Sequence, residues 1–548
     1  MRILFTLLLF IIFPFSVHAQ QKAAYLILFK DKSNSKYLIS KPQDFLSERA
    51  ISRRIKQNIQ IRENDLPVNE TYVEEVKKTG ALIKYPTKWF NGIVVEATLE
   101  QLVAIQNLPF YKGIELNLPI GPTTTSQKLV SSATNTKIQT TPEDYGAMYE
   151  QMALLGIPEL HQAGYAGRGM LIAVLDDGFA NANQVEFYKH LFARNQIIDT
   201  YDFHNLSPDV YTSGSHGFEV LSTMAAYLPG KLAGAAYEAN FALYTTENTR
   251  IEAPIEEVAW LAAAERADSL GADVISSSLG YNYFDGAFNS PAYNYTYNNM
   301  DGQTAIISKA ARLASRKGIL VVNAAGNEGN QAWKYIVAPA DVDSVLSVGS
   351  VTRQFTYSSF SSIGPTSTGI LKPDLSTIGT GAIVGKTNGN ISSSSGTSFS
   401  TPQIAGMASI LWQAYPSLTA QQIIGALKKS GSQYGQPDNL LGYGIPNVER
   451  AQKIIQKEYL ILGVEDLNRH PIILAPNPIE NEIQLKFPSV YTNQSVHITL
   501  ISSGGMVIFN KEFKASELLT IPTPSIQTGI YFLKIKGINF NETIKFLK

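Results

Sequence analysis

Three short stretches place a reactive side chain where a regular element begins or ends. In Val174-Leu175-Asp176-Asp177-Gly178 an apolar run leads straight into a carboxylate. Ligands of open parallel sheets gather outside the carboxyl ends of the strands, although Asp-Gly after a strand is, taken alone, usually a turn. Ser213-Gly214-Ser215-His216-Gly217 opens a helical stretch from Phe218 to Ala226; a lone histidine there is more often a cap or surface residue. Gly396-Thr397-Ser398-Phe399-Ser400-Thr401-Pro402 starts an apolar helix in which Ile404, Met407, Ala408 and Leu411 recur at helical spacing. A serine at a helix start lies beside free backbone N–H groups and the positive dipole end, which favour an oxyanion. The same position suits a plain N-cap.

The three together specify more than any one. A serine hydroxyl is a poor nucleophile until a base takes its proton, and the base needs a buried carboxylate to fix its tautomer and stabilise the imidazolium. The chain has no cysteine, which excludes a thiol nucleophile, a thiolate metal site and a disulfide framework. It has no Gly-x-Ser-x-Gly, the elbow of the α/β-hydrolases.

The elements that must position these residues alternate between helix and strand. Met170–Leu175 is an all-apolar strand, as in a sheet buried on both faces. Phe241–Tyr244 is another. Helix Ile255–Leu270 stops at Gly271 and is followed by strand Ala272–Ser276. Helix Thr304–Lys317 stops at Gly318 before strand Ile319–Val322. Helix, glycine, strand, repeated, predicts an α/β doubly wound parallel sheet.

In their order, Asp then His then Ser, the motifs resemble the signatures of the subtilisin-like serine peptidases, the subtilase or peptidase S8 family. Asn323-Ala324-Ala325-Gly326-Asn327-Glu328-Gly329 and Ser278-Leu279-Gly280 are similar to further segments of that family. The resemblance covers 144–455. It implies a secreted serine endopeptidase that forms an acyl-enzyme, with Asp176, His216 and Ser398 as triad and Asn327 as oxyanion donor. It implies that Ser278, Leu279 and Gly280, with Ala324, Ala325 and Gly326, bind a protein or peptide substrate. It requires no cofactor for the chemistry. Calcium is common in the family, but no compact carboxylate loop assigns a metal site here. The chain departs from the pattern at Asp177, usually Ser or Thr, and at Phe218, usually Thr. A second carboxylate raises a pKa by like-charge repulsion; alternation along the strand is expected to point Asp177 away. Two rival functions are an adhesin on a dead peptidase fold and an esterase with the same triad. A fluorophosphonate, which labels only an activated serine, separates the first from a working enzyme.

The flanks fit the same picture. Met1-Arg2 precedes an apolar run to Phe15, then Val17-His18-Ala19, the pattern of a signal peptide over 1–19. No later stretch is long and apolar enough to span a bilayer. Residues 20–120 form a small α+β unit. Its Lys88-Trp89-Phe90-Asn91-Gly92 and Ile93–Ala97 resemble the hairpin region of subtilase propeptides, implying an intramolecular inhibitor. Residues 121–143, rich in Thr, Ser and Asn, read as a linker with the processing site. From 466 to 548 the periodicity is that of strands only, predicting an all-β sandwich. Its Pro476-Asn477-Pro478, Gly529-Ile530-Tyr531 and basic tail Lys545–Lys548 resemble the sorting domain of the type IX secretion system, implying export through the periplasm to the medium or cell surface. A net charge of -1 argues against nucleic acid as a partner. Tyr281, Tyr283, Tyr293, Tyr295 and Tyr297 suggest an aromatic rim on the substrate cleft.

Overall fold

The computed structural model describes residues 22–122, 143–460 and 472–548, apart from 475, 480, 489–490, 524–525 and 538–540. The leader expected at 1–19 and most of the expected linker lie outside these residues. The chain forms two compact units, one ending at Tyr459 and one beginning at Leu460.

The first unit opens with β1 (Ala23–Phe29), α1 (Glu48–Lys56), α2 (Glu70–Lys78), β2 (Leu82–Thr87), β3 (Gly92–Ala97), α3 (Leu99–Gln106) and β4 (Tyr111–Ile114). The strands make an antiparallel sheet in the order β2-β3-β1-β4. Alternation along β1 divides its side chains between two cores. Tyr25, Ile27 and Phe29 pack with Val76, Leu102 and Ile105 of the sheet's own helices. Ala24 and Leu26 face the other way, into a core shared with Trp260 and Ala264.

The rest of this unit is built on seven parallel strands. In chain order they are β5 (Leu171–Asp176), β6 (Ile197–Asp202), β7 (Asn240–Thr245), β8 (Val274–Ser277), β9 (Leu320–Ala324), β10 (Leu346–Val351) and β11 (Leu375–Ile378). Across the sheet the order is β11-β10-β9-β8-β5-β7-β6. Helices α4 (His216–Ala225) and α7 (Thr397–Ala414) cover one face; α5 (Pro254–Leu270) and α6 (Ile306–Arg316) cover the other. Strand β5 feeds both layers: Ile172 and Val174 lie in the first core, Leu171, Ala173 and Leu175 in the second. That double burial is why its sequence is a continuous apolar run. A hairpin, β12 (Ala382–Gly385) and β13 (Ile391–Ser394), leads into α7.

The second unit is all β. One antiparallel sheet runs Val507–Lys514, Ser495–Ser502, Ile530–Lys536, Asn541–Leu547; the other joins Ile473–Leu474, Glu482–Lys486 and Leu518–Pro522. Alternate residues, among them Ile483, Leu485, Ile498, Leu500, Leu533 and Ile535, fill its core. Among the described residues no helix is long and apolar enough to cross a membrane.

Candidate active site

Asp176 ends β5, in register with Thr245 of β7, and is fully buried. Its Oδ1 accepts the Nδ1–H of His216 at 2.6 Å and the backbone N–H of Asp177 at 2.8 Å. His216 is the first residue of α4. The approach leaves no space for a side chain at Gly217, where a Cβ would lie 2.5 Å from the Gly178 carbonyl oxygen and 2.7 Å from Asp176 Cβ. Ser398 stands in the first turn of α7. The preceding Gly396 has φ +153°, a conformation other residues rarely adopt. The Ser398 hydroxyl donates to the Ser278 carbonyl at 3.3 Å, and the Ser278 hydroxyl donates back to the Ser398 carbonyl at 2.8 Å. The Phe399 ring lies 5.6 Å from that of His216, centre to centre.

Asp177 does not point away. Its carboxylate accepts the N–H of Gly217 at 2.8 Å and of His216 at 3.3 Å. Successive carboxylates thus hold one histidine, Asp176 by its ring and Asp177 by its backbone. Burial, helped by the charge of Asp176, pushes the Asp177 carboxyl up to about 6. Burial works to lower the pKa of His216, but the charge and hydrogen bond of Asp176, then Asp177 and Glu219, outweigh it and raise the imidazole to about 9. An imidazolium has no acceptor nitrogen, so a Ser398 hydroxyl that donates to Ser278 is the partner that state allows. Glu219 is itself held by Lys386 at 2.8 Å and by the Ser394 hydroxyl at 2.7 Å, which ties the hairpin before Ser398 to the helix of His216.

Asn327 follows β9. Its Oδ1 accepts the N–H of Thr397 at 2.9 Å and the Thr397 hydroxyl at 3.1 Å. This fixes the amide against the start of α7 and leaves its NH₂ without a protein acceptor among the described residues. Gly326 is tied to the same helix, its carbonyl accepting the Thr397 hydroxyl at 3.2 Å. Ala325 is anchored to β10 by a bond from its N–H to the Val348 carbonyl at 2.9 Å, and Ala324 closes β9. Ser278 and Leu279 are fixed from below, the Leu279 carbonyl accepting from Asn323 Nδ2 at 2.9 Å. Gly280 is partly exposed, and among the described residues its N–H and carbonyl have no protein partner. An extended chain that supplied both would add a strand there.

Two of the five tyrosines expected on an aromatic rim turn to carboxylates instead. Tyr281 is fully buried and donates to Glu247; Tyr295 donates to Glu257 at 2.8 Å. Both serve the core below the cleft, because a buried phenol needs an acceptor. Glu247, Glu252 and Glu256 lie close enough to share a cation. Both Glu256 oxygens, however, accept backbone N–H groups, of Asn248 and Ala253, and Glu247 accepts the Tyr281 hydroxyl. The Glu252 carboxylate has no protein donor among the described residues, and burial pushes it up to about 7.

The sequence does not single out Thr397, which braces Asn327, or Glu219. Their signals are a hydroxyl and a carboxylate placed next to, or one turn from, a candidate residue.

Comparison with known proteins places this geometry. A family model described as Subtilase family matches residues 167–444. Models described as Peptidase S8 propeptide domain, Bacteroidota, and Secretion system C-terminal sorting domain match 24–133 and 474–548. Subtilisin DY of Bacillus licheniformis is 28% identical over 303 residues, 54% of this chain and 96% of that protein. A thermostable alkaline protease of Halalkalibacterium halodurans is 26% identical over 360 residues, 66% of this chain and 82% of its own. The crystal structure of the epidermin leader peptide processing serine protease of Staphylococcus aureus superposes with a TM-score of 0.53 at 18% identity, covering 79% of this chain and 98% of that one.

Proposed function

The chain belongs to the subtilase family and is a secreted serine endopeptidase, and from that premise we propose that Asp176, His216 and Ser398 are its catalytic triad. The observation that carries this assignment is the 2.6 Å bond from His216 to a fully buried carboxylate, with the ring of Phe399, the residue after Ser398, 5.6 Å from the imidazole. Deprotonation gives His216 an acceptor nitrogen. The Ser398 hydroxyl turns to it from Ser278, loses its proton and attacks the peptide carbonyl. Asn327 Nδ2 and the Ser398 backbone N–H receive the oxyanion. His216 passes its proton to the leaving amine, and water releases the acyl group by the reverse path. Ser278–Gly280 and Ala324–Gly326 flank the substrate backbone. These steps use side chains and water; calcium, where bound, would serve the fold.

The test is digestion of casein by purified, processed protein. Wild type is expected to cut it and Ser398→Ala to leave it intact. Intact casein with processed wild type would overturn the assignment.

The propeptide domain serves as intramolecular inhibitor, with processing in 121–143. The sorting domain directs secretion by the type IX system, to the medium or the cell surface. We place the first crossing at the signal peptide, 1–19, and a periplasmic stage after it. Deleting 466–548 is expected to hold the protein in the periplasm; unchanged export would reject that route.

A further inference from the structure

We propose that the peptidase recognises its propeptide through an arginine socket formed by the C-terminal ends of α5 and α6, and that this socket sets how tightly the two halves stay together once the linker is cut. The proposal rests on residues 22–122 being the propeptide of this peptidase.

Helix C-termini leave carbonyl oxygens without donors and carry partial negative charge. In this fold two such ends, at Leu270 and Arg316, are brought together beside the buried carboxylate of Asp268. Helix α1 fills the space with arginines. Arg53 donates to the Lys317 carbonyl at 3.1 Å, to the Ala272 carbonyl, and to the Asp268 carboxylate; its side chain is 3% exposed. One residue on, Arg54 bridges Asp268 at 2.8 Å and Asp65 of the propeptide at 2.7 Å. Arg49, one turn before Arg53, reaches the Gly271 carbonyl at 2.9 Å and pairs with Asp273 at the more exposed rim.

Every acceptor named on the peptidase side is an oxygen, and a guanidinium is a donor-only fork that fits such a set better than an ammonium does. The sheet joins the same helix one turn earlier: Glu265 accepts the N–H groups of Lys88 and Trp89 at 2.8 and 2.9 Å, and the Lys88 ammonium reaches Asp268 at 3.4 Å as a third cation beside the two arginines. The charges sort unequally on separation. Asp65 now pairs with Lys317 of the peptidase at 2.8 Å as well as with Arg54. When the halves part, Arg54 keeps Asp65, whereas Arg53 loses every acceptor named here, all of which lie on the peptidase. Arg53 is therefore the group whose pairing separation costs most.

The experiment uses the full chain with Ser398→Ala and the recognition sequence of an unrelated protease placed within 123–142. After cutting, gel filtration measures how much of the 22–122 fragment travels with the remainder. The fragment is expected to stay bound. Arg53→Met or Arg54→Met is expected to raise the dissociation constant about 100-fold or more, the usual scale for removing one partner of a buried pair. Asp268→Asn should do the same, and the double variant Arg53→Met/Asp268→Asn should lose less than the two singles combined. Arg49→Met, at the rim, should cost less than 10-fold, with a loss that shrinks as salt rises. Retention of the Arg53 and Arg54 variants at wild-type strength, or full additivity in the double variant, would overturn the proposal. If the Arg53 and Arg54 variants do not fold before cutting, the salt-sensitive loss in Arg49→Met decides, and its absence counts against the socket. With Ser398 removed the result is independent of peptidase activity, which the casein assay tests by itself.

Discussion

Asp177→Asn should make the peptidase work at lower pH. The Asp177 and His216 ligand atoms lie within 4.8 Å of each other. Two unit charges at that distance interact by about 3.5 kcal/mol at an effective dielectric of about 20 and by about 0.9 kcal/mol in water. The His216 side chain is 35% exposed, so the true value lies between, and a shift of about one pKa unit follows. The sign is fixed by the charge. A carboxylate raises the imidazole, toward about 9 here, and an amide cannot. The active form needs neutral His216, so kcat/KM, which reports the free enzyme, should climb on the alkaline side in wild type and about one unit earlier in Asp177→Asn. The three groups titrate together, so the measured value belongs to the cluster. Asparagine keeps a side-chain oxygen for the Gly217 N–H, so the start of α4 stays capped. The assay is a pH series of kcat/KM on one peptide substrate. An unmoved midpoint, or one displaced upward, would refute the electrostatic argument.

Asn327→Ala should lower kcat about 10²–10³-fold with little change in KM, the scale known for losing the corresponding donor in a subtilisin. Gly217→Ala should cost at least about 100-fold in kcat/KM, since the new Cβ would meet the Gly178 carbonyl oxygen at 2.5 Å and displace His216 from Asp176. Asp374→Ala should destabilise the first unit by about 3–5 kcal/mol in urea unfolding, because it leaves the fully buried Lys372, now 2.6 Å away, without its counter-ion. Burial would raise the Asp374 carboxyl, but Lys372 and then Lys428 outweigh it and hold it below the ordinary value. Its contribution is therefore complete above the ordinary carboxylate range and lost as pH falls through the depressed value, and the variant should be the less acid-sensitive of the two.

What the sequence declares most openly is the part governed by periodicity. The continuous apolar run of β5 announces burial on both faces, and the glycines after α5 and α6 mark where those helices stop. Strands β10 and β11 are harder to see. Leu346-Ser347-Val348-Gly349-Ser350-Val351 and Leu375-Ser376-Thr377-Ile378 carry serine, threonine and glycine at buried positions, and at Gly349 the surroundings leave room for nothing larger: a Cβ there would lie 2.7 Å from Ser376 Oγ on the neighbouring strand. Hydrophobicity alone passes over such strands.

The triad is legible for a different reason. Its residues are far apart in sequence, but each sits at an element boundary that glycine marks. Asp177 shows where that legibility ends. Alternation predicts opposite sides for neighbours only while the strand continues. The strand ends at Asp176, and Gly178, with φ +124°, turns the chain at once. The second carboxylate is thereby carried to the first N–H groups of α4 instead of to the opposite face of the sheet. An Asp in place of the usual hydroxyl can therefore serve the histidine from its backbone side and still act on it through charge. Pattern gives the identity of the base; the pH at which it works depends on a contact that only the fold creates.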